Sequence, residues 1–315
     1  MSSLFEETER ILDNRRILSE IRQNDKIAKI HEKYPKLAEV EREISHVTGE
    51  QLLAALDGRT DYTLDDKLTE LKKKKDQLIK EYGLSDEDFA VEPHCKLCGD
   101  TGYIDKEDGT SEMCECLCEL LAPSYLARSG CNRYPGFSFD NANDAFFENN
   151  EAGKVAFSVV KALAEHKKLP SLIFYGASGC GKTFTAVCAA RYYAEHGKTS
   201  MVIKMADAME LMMEHRKVVQ AFRTDADKEK NIEMKKDYLV ESDLLVLDDM
   251  GVEAKTANAE ADILYILDSR LQAGKATIIT TNFDIPTLKD RYGARVYDRL
   301  LKNFKGYPFS RKKAE

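Results

Sequence analysis

No stretch of about 18 consecutive apolar residues occurs in this chain of 315 residues, so the sequence predicts no transmembrane helix. The N-terminus, MSSLFEETERILDNRR, is charged too early for a secretory signal. From these two absences we expect a cytoplasmic protein without a membrane partner. Internal repeats and low-complexity segments are also absent, which excludes a repeat architecture.

An excess of positive charge is also lacking. The net charge is −8 and the isoelectric point about 5.5, which excludes a nucleic-acid-binding coat over the whole chain. A local basic face is not excluded, because the field depends on where the charges lie. Hydrophobic residues make up 43% of the chain, enough for a sizeable core and for two domains or one domain with an appendage.

Disulfide bonds are not expected, although the chain has eight cysteines, because the cytosol is reducing. Five of the eight lie between Cys95 and Cys118, and this concentration indicates metal binding. Cys131, Cys180 and Cys188 lie apart from the others, and we expect them to be buried small hydrophobes.

The clustered cysteines have the spacing of a structural zinc site. They are Cys95, Cys98, Cys114, Cys116 and Cys118. Four thiolates complete the tetrahedral shell of Zn²⁺, so one of the five is left over. The spacing does not choose between Cys116 and Cys118, and His94 is a further candidate. We expect this segment, which is poor in apolar residues, to fold only with zinc bound.

The first 90 residues are rich in Lys and Glu, and their apolar residues recur at helical spacing. Three helices are predicted here, the second from about Pro35 to Leu56 and the third from about Leu64 to Tyr82. These helices form either a solvated hairpin or a surface that docks a partner, and the pattern leaves both open.

After a connector at about 120–140, predicted strands alternate with helices. The predicted elements are helix 151–167, strand 171–175, helix 182–196, strand 200–205, helix 206–222, strand 244–248, helix 258–273, strand 276–281 and a basic helical tail. This alternation predicts an α/β fold with a parallel sheet covered by helices on both faces.

The segment GASGCGKT matches the phosphate-loop pattern G-x-x-x-x-G-K-[ST] between a predicted strand and a predicted helix. Lys182 is expected to reach the β- and γ-phosphates, and Thr183 to bind Mg²⁺. Backbone amides and the N-terminus of the following helix would hold the phosphate oxygens. The residues assigned to nucleotide binding here are Gly176, Ala177, Ser178, Gly179, Cys180, Gly181, Lys182, Thr183 and Phe184.

Polar residues end two later strands. Asp248 and Asp249 follow the apolar run LLVL, and we expect Asp248 to hold Mg²⁺ and Asp249 to polarise the attacking water. Asn282 ends the strand in KATIITTNF, where its amide can orient that water. The tail from Lys289 to Lys313 holds nine Lys or Arg and two Asp, a local charge of about +7 in which an arginine can stabilise the transferring phosphoryl group.

In order and spacing, GASGCGKT, LLVLDDMG, TTNF and RVYDRL resemble the AAA+ ATPases of the bacterial DnaC/DnaI helicase-loader group and the related IstB-type transposition helpers. With the cysteine segment HCKLCGDTGYI…MCECL and the segment YPGFSFDN, the resemblance covers about 95–313. The first 90 residues match by position only. The resemblance implies a P-loop AAA+ domain with a parallel sheet flanked by helices, preceded by a small helical and zinc-binding N-terminal domain. We therefore expect four parts: residues 1–92 (a helical arm or bundle that docks a partner), 93–120 (zinc-binding module), 121–140 (linker) and 141–315 (AAA+ domain).

The resemblance also implies residue roles. Lys182 and Thr183 match the Walker A residues, Asp248 the Walker B magnesium residue and Asn282 sensor 1. Asp249 stands where most AAA+ proteins have Glu. Arg299, in DRL, best matches the arginine finger, with Arg295 as the alternate, and Arg311 falls where sensor 2 would be. The zinc ligands that the family pattern favours are Cys95, Cys98, Cys114 and Cys116.

We therefore expect an ATPase that uses ATP, Mg²⁺ and Zn²⁺, self-assembles through shared ATP sites, and loads a replicative hexameric helicase onto single-stranded DNA. The rival interpretation is a transposition helper that binds DNA and recruits a transposase. A metabolic P-loop kinase is disfavoured by the ordered Asp, Asn and Arg series. Candidate DNA contacts are the tail and the basic residues Lys204, Arg216, Lys217, Arg223, Lys228, Lys230, Lys235 and Lys236, with Phe222 as an aromatic platform.

Overall fold

The computed structural model describes residues 2–56, 62–142, 147, 150–166, 169–220, 225–253 and 258–310. By packing, the chain divides into two compact units, Met1–Cys114 and Glu115–Glu315. Among the described residues, no helix has the length and apolar character needed to cross a membrane. The domain boundaries predicted near residues 92, 120 and 140 are functional assignments and stay predictions.

The first unit consists of long helices followed by a short hairpin. Its elements are α1 (Ser2–Lys33), α2 (Pro35–Leu56), α3 (Tyr62–Glu81), and the antiparallel pair β1 (Tyr103–Asp105) and β2 (Ser111–Met113). Val40 and Val47 of α2 pack with Leu71 of α3 in a small apolar cluster. The predicted second helix has the bounds expected, with Pro35 in its first turn, where proline's missing N–H has no intrahelical partner to lose.

The second unit alternates strands with helices. Its elements are α4 (Glu115–Ser129), α5 (Glu151–Glu165), β3 (Leu172–Gly176), α6 (Lys182–Glu195), β4 (Ser200–Lys204), α7 (Met205–Gln220), α8 (Ala226–Glu241), β5 (Leu244–Met250), α9 (Ala259–Gln272), β6 (Ala276–Thr281), α10 (Ile285–Asn303) and β7 (Lys305–Phe309).

The strands of this unit form one five-stranded sheet in the order β4-β5-β6-β3-β7, with every neighbouring pair parallel. Along β5, Leu244 and Val246 face one apolar cluster, while Leu245 and Leu247 face the other. Helices α5 and α6 cover the first face, and α7, α8, α9 and α10 cover the second. The prediction of a parallel sheet flanked by helices is confirmed. Because all strands run the same way, their carboxyl ends meet at one edge.

Three segments differ from the sequence prediction. Residues 120–129, predicted as a connector, belong to α4, which packs on α6 and whose buried residues include Leu121 and Tyr125. Pro123 inside α4 hid the helical pattern. The charged stretch 226–241 is helix α8, and the predicted helical tail contains strand β7 after α10.

Candidate functional site

The phosphate-loop segment leaves strand β3 through glycines that adopt backbone angles other residues avoid. Gly176 has φ +134°, and a Cβ at that position would lie 2.0 Å from the carbonyl oxygen of Phe309 on β7. Gly181 has φ +88° and begins α6, with the ring of Phe147 lying 3.1 Å from where its Cβ would be. Only glycine fits at either position. The path of the loop is therefore fixed by strand β7 at Gly176 and by the ring of Phe147 at Gly181.

Lys182 is buried and turns back into the loop that precedes it. Its Nζ donates to the carbonyl oxygens of Gly176 at 2.8 Å and Ala177 at 2.7 Å, and to Oδ1 of Asn282 at 2.9 Å. Burial lowers the pKa of the Lys182 ammonium from its ordinary value. The structure thus brings together the loop and the end of β6, which are a hundred positions apart.

Asp248, near the carboxyl end of β5, accepts hydrogen bonds from three side chains. Its Oδ1 accepts from the hydroxyls of Thr183 at 2.8 Å and Thr280 at 2.7 Å, and its Oδ2 accepts from the hydroxyl of Tyr134 at 3.4 Å. The side chain is 2% exposed. Burial and the neighbouring carboxylates raise the pKa of Tyr134 to about 12, so this phenol keeps its proton and donates it.

Asp249 adopts a left-handed conformation at φ +58°, and its N–H donates to the hydroxyl of Thr280 at 2.9 Å. This conformation is strained for a residue with a side chain. It interrupts, at Asp249, the alternation of side chains between the two faces of β5. Burial, followed by the charge of Asp248, raises the pKa of Asp249. A carboxylate with a raised pKa is a better proton acceptor, which suits a general base.

Three residues of the site were not predicted from the sequence. Asn150 caps α5 by accepting from the Gly153 N–H at 2.9 Å, and its Nδ2 donates to the carbonyl oxygen of Cys180 at 2.7 Å. Tyr134 and Thr280 contact Asp248. The capping position of Asn150 is readable from the sequence, because it precedes a predicted helix, but its contact with the loop thirty positions later is not.

The predicted arginines do not join this group. Arg299 donates from Nε to Oδ1 of Asp268 on α9 at 2.6 Å, and both side chains are partly exposed. This carboxylate raises the pKa of Arg299. Arg295 is exposed on the same helix. Arg311 lies outside the described residues, and its predicted role stays a prediction.

The predicted DNA-contact residues are scattered, and several are engaged in ion pairs. Arg216 of α7 pairs with the buried Asp262 of α9, and Lys236 of α8 pairs with Glu233 at 2.6 Å. Lys204 is exposed at the end of β4. Two further residues of this set lie outside the described part of the chain, Phe222 and Arg223.

The Sγ atoms of Cys95, Cys98, Cys114 and Cys116 lie within 4.8 Å of one another. Cys116 stands two residues beyond the division between the packing units, in the first turn of α4. Cys118 is buried in α4 and is not a member of the group, nor is His94. Four thiols at this spacing could hold a metal ion, and the group is the set that the family pattern favoured.

The distances in the cluster fit tetrahedral zinc. Zn–S bonds of about 2.3 Å require sulfur atoms roughly 3.8 Å apart, and those of Cys95 and Cys114 are 3.7 Å apart. Around them, the buried carboxylate of Asp100 accepts from the backbone N–H groups of His94 at 2.7 Å and Cys95 at 2.8 Å. The N–H of Gly102 points at Sγ of Cys98 at 3.3 Å. Such bonds orient metal-binding residues.

The chain is similar to known bacterial proteins. A sequence model of the family described as the bacterial DnaA ATPase domain matches residues 136–302. The uncharacterized protein YdaV of Escherichia coli K12 is 28% identical over 188 residues, which are 59% of this chain and 70% of YdaV. The replicative helicase loader DnaC of Buchnera aphidicola subsp. Schizaphis graminum is 29% identical over 178 residues, 56% of this chain and 68% of that protein.

Among solved structures, AMPPCP-bound DnaA from Aquifex aeolicus superposes with a TM-score of 0.45 at 20% identity, covering 55% of this chain. The match spans half the length of that DnaA chain. The resemblance to helicase loaders that the motifs indicated is confirmed by the similarity to DnaC.

Proposed function

Because this chain belongs to the family of the bacterial DnaA ATPase domain, we propose that it is an ATP-dependent loader of the replicative hexameric helicase onto single-stranded DNA. The observation that carries the proposal is the similarity to a replicative helicase loader, DnaC. The convergence of the phosphate loop, Asp248 and Asn282 at one edge of the sheet supports its dependence on ATP.

In this proposal the loop between β3 and α6 holds the nucleotide phosphates. Backbone N–H groups from Gly176 to Gly181 and the N-terminus of α6 face the phosphate oxygens. Lys182 now bonds to two neutral loop carbonyls, and phosphate oxygens are stronger acceptors for its ammonium. The lysine therefore transfers its hydrogen bonds to the β- and γ-phosphates when ATP binds.

Thr183 and Asp248 would hold Mg²⁺ beside these phosphates. Their oxygens lie 2.8 Å apart, and a hydroxyl with a carboxylate is the donor set that this hard cation prefers. When bound, the ion neutralises phosphate charge as it develops. Thr280 and Tyr134 keep the Asp248 carboxylate oriented toward that place.

Asp249 would accept the proton of the attacking water, and Asn282 would orient that water. In this role Asn282, whose Oδ1 accepts from Lys182 Nζ at 2.9 Å, would lie beside the γ-phosphate that Lys182 holds. Asp249 has a shorter side chain than the Glu common in AAA+ proteins, and in this role its left-handed backbone would have to aim the carboxylate at the water.

Arg299, with Arg295 as the alternate, would act on ATP bound by a neighbouring subunit. Its partner Asp268 is partly exposed, and exposed ion pairs are weak enough to be exchanged for a phosphate. ATP sites would then form between subunits, so the proposal includes ATP-dependent self-assembly. The cysteine cluster would hold a structural Zn²⁺, and the N-terminal helices would dock on the helicase.

A loading assay with the full-length protein tests the proposal. The replicative hexameric helicase of the same organism is incubated with closed circular single-stranded DNA, ATP and this protein, and DNA-bound helicase is measured. We expect loading that requires ATP and is lost with Asp249→Asn. Absence of helicase binding, together with ATP-dependent recruitment of a transposase, would instead establish the transposition helper.

A further inference from the structure

Glu253 is a buried carboxylate just after the Asp248–Asp249 strand end, and no role above uses it. It is 6% exposed. Its Oε2 accepts from the Gly251 N–H at 3.0 Å, and its Oε1 accepts from the hydroxyl of Tyr292 on α10. Its backbone oxygen accepts from Arg291 Nη2 on the same helix. Two of these bonds tie the loop after β5 to the first part of α10, and the bond from Gly251 holds Glu253 within the loop.

Phe283 completes this contact between strand ends and helix. It follows Asn282, and a Cβ on Gly251, which has φ +112°, would lie 2.3 Å from the Phe283 ring. The guanidinium of Arg291 lies over the Phe283 ring, 5.9 Å from its centroid. The ends of β5 and β6 and the start of α10 are therefore packed against one another.

The contact has room to tighten. Arg291 Nε is buried without a hydrogen-bond partner among the described residues, and it lies 3.8 Å from Glu253 Oε1. A shift of about 1 Å would bring this pair into hydrogen-bond range. A buried donor without a hydrogen bond costs free energy. A second arrangement, in which Arg291 Nε and Glu253 Oε1 lie closer together, is therefore favoured wherever the loop permits it.

Helix α10 is broken directly after these contacts. Gly293 has φ +84° and ψ 169°, which divides α10 into two helices across a kink. A Cβ there would meet the carboxylate of Glu260 at 3.2 Å, so the kink depends on glycine. The part beyond the kink carries Arg295 and Arg299. Small movements of the first part of α10 therefore change the positions of Arg295 and Arg299 through the hinge at Gly293.

We propose that Glu253 is a positioning residue that couples a subunit's own ATP site to the reach of its Arg299 into the neighbouring subunit's site. The proposal rests on the shared ATP site proposed above. A change at Asp248 or Asp249 moves Gly251 and Glu253, and Tyr292 and Arg291 pass that movement to the kink. Loss of the link misplaces the arginine while leaving the subunit's own phosphate loop intact.

Mixtures of variants distinguish this role from a local one, with ATP hydrolysis per subunit as the readout. Arg299→Ala keeps its own site but lacks the arginine, and Asp249→Asn keeps the arginine but lacks the base. Mixed one to one, they should recover about a quarter of the wild-type rate, the fraction of head-to-tail interfaces that pair a sound site with a sound arginine.

Glu253→Gln alone should hydrolyse ATP about 10- to 100-fold more slowly, as expected for a misplaced transition-state group, with ATP affinity unchanged. It should regain activity when mixed with Asp249→Asn and none when mixed with Arg299→Ala. The milder Tyr292→Phe should behave in the same way, which covers the case of a Gln variant that does not fold. Tyr297→Phe, on the same helix beyond the kink, is the matched control and should keep wild-type activity.

The reverse pattern, with recovery alongside Arg299→Ala, would show that Glu253 serves only its own site and would overturn the inference. Unchanged hydrolysis by Glu253→Gln and Tyr292→Phe would do the same. If Arg299→Ala and Asp249→Asn together recover nothing, the shared ATP site itself is wrong and the inference falls with it.

Discussion

The phosphate site and the cysteine cluster are built on opposite principles. At the phosphate site, side chains from distant parts of the second unit are already hydrogen-bonded to one another, over a sheet with apolar clusters on both faces. In the cysteine cluster, four sulfur atoms lie beside a hairpin of two three-residue strands. The fold preorganises the first site, whereas the second, with the zinc proposed above, would depend on its ion.

The difference follows from the apolar residues available to each region. Fully burying an aliphatic side chain contributes about 1.5–3 kcal/mol, and the apolar clusters on the sheet are large. In contrast, the apolar cluster that the described part of the first unit forms between α2 and α3 is small, with Val40, Val47 and Leu71 and partly buried neighbours. The proposed metal–thiolate site would therefore contribute a larger share of the order near Cys95 than any single contact does near Lys182.

Zinc removal should have the largest effect and should separate the two regions. Zinc–thiolate sites contribute about 10–16 kcal/mol to folding, so chelation should abolish amide protection between residues 94 and 114. Hydrogen exchange of the full chain measures this, and ATP affinity measured in parallel should stay within about twofold of its starting value.

The matched variants for zinc removal are Cys98→Ser, which should lose the metal, and Cys118→Ser, which should keep it. Elemental analysis that finds no zinc in freshly purified protein would contradict the assignment. So would equal zinc loss in the two variants.

Lys182→Ala should have the next largest effect, on ligand binding rather than folding. Removing a charge-assisted hydrogen bond of about 1.5–3 kcal/mol weakens ATP binding by about 10- to 100-fold. The thermal midpoint should change little, because the ammonium is buried against neutral acceptors and glycines hold the loop. Calorimetric titration with ATP and a thermal melt check both, with Lys161→Ala on the exposed face of α5 as the control. A collapse of the thermal midpoint would mean that the site is not preorganised by the fold.

Asn150→Ala should have the smallest effect of the three. It removes the cap of α5 and the bond to the Cys180 carbonyl, which should lower the free energy of unfolding by about 1–2 kcal/mol. Asn258→Ala is a matched control, since Asn258 precedes α9 without a side-chain cap bond. Urea unfolding should show a shift for the first variant alone. Equal shifts would mean that the loop contact contributes nothing.

Much of the phosphate site was predictable because each part ends a strand. Parallel strands bring their carboxyl ends to one edge, so the order of GKT, DD and N along the sequence was enough to group Lys182, Asp248 and Asn282. The α4 and α8 helices were missed because one contains Pro123 and the other has few apolar positions, Ile232 and Leu239 being its buried ones.

Contacts between distant segments were not predictable. Asn150, Tyr134 and Glu253 act on the site through partners 30, 114 and 39 positions away. Their residue types are common in loops, and no local pattern marks the partner. Spacing likewise left open the choice between Cys116 and Cys118. In the structure the Cys116 sulfur lies with those of Cys95, Cys98 and Cys114, whereas Cys118 is buried in the same first turn of α4, and the assignment of Cys116 as a zinc ligand stays a prediction.

The place of β3 in the sheet also determines when, during protein synthesis, the phosphate loop meets the strand that fixes it. This strand lies between β6 and β7, and both follow it in the chain. Gly176, where the phosphate loop begins, is in register with Phe309, 133 positions later. At about 5–20 residues per second, the ribosome needs on the order of ten seconds to pass from one to the other. During that interval the nascent loop lacks the strand that fixes it, so the ability to hold ATP arrives only after the arginine-bearing helix has been made.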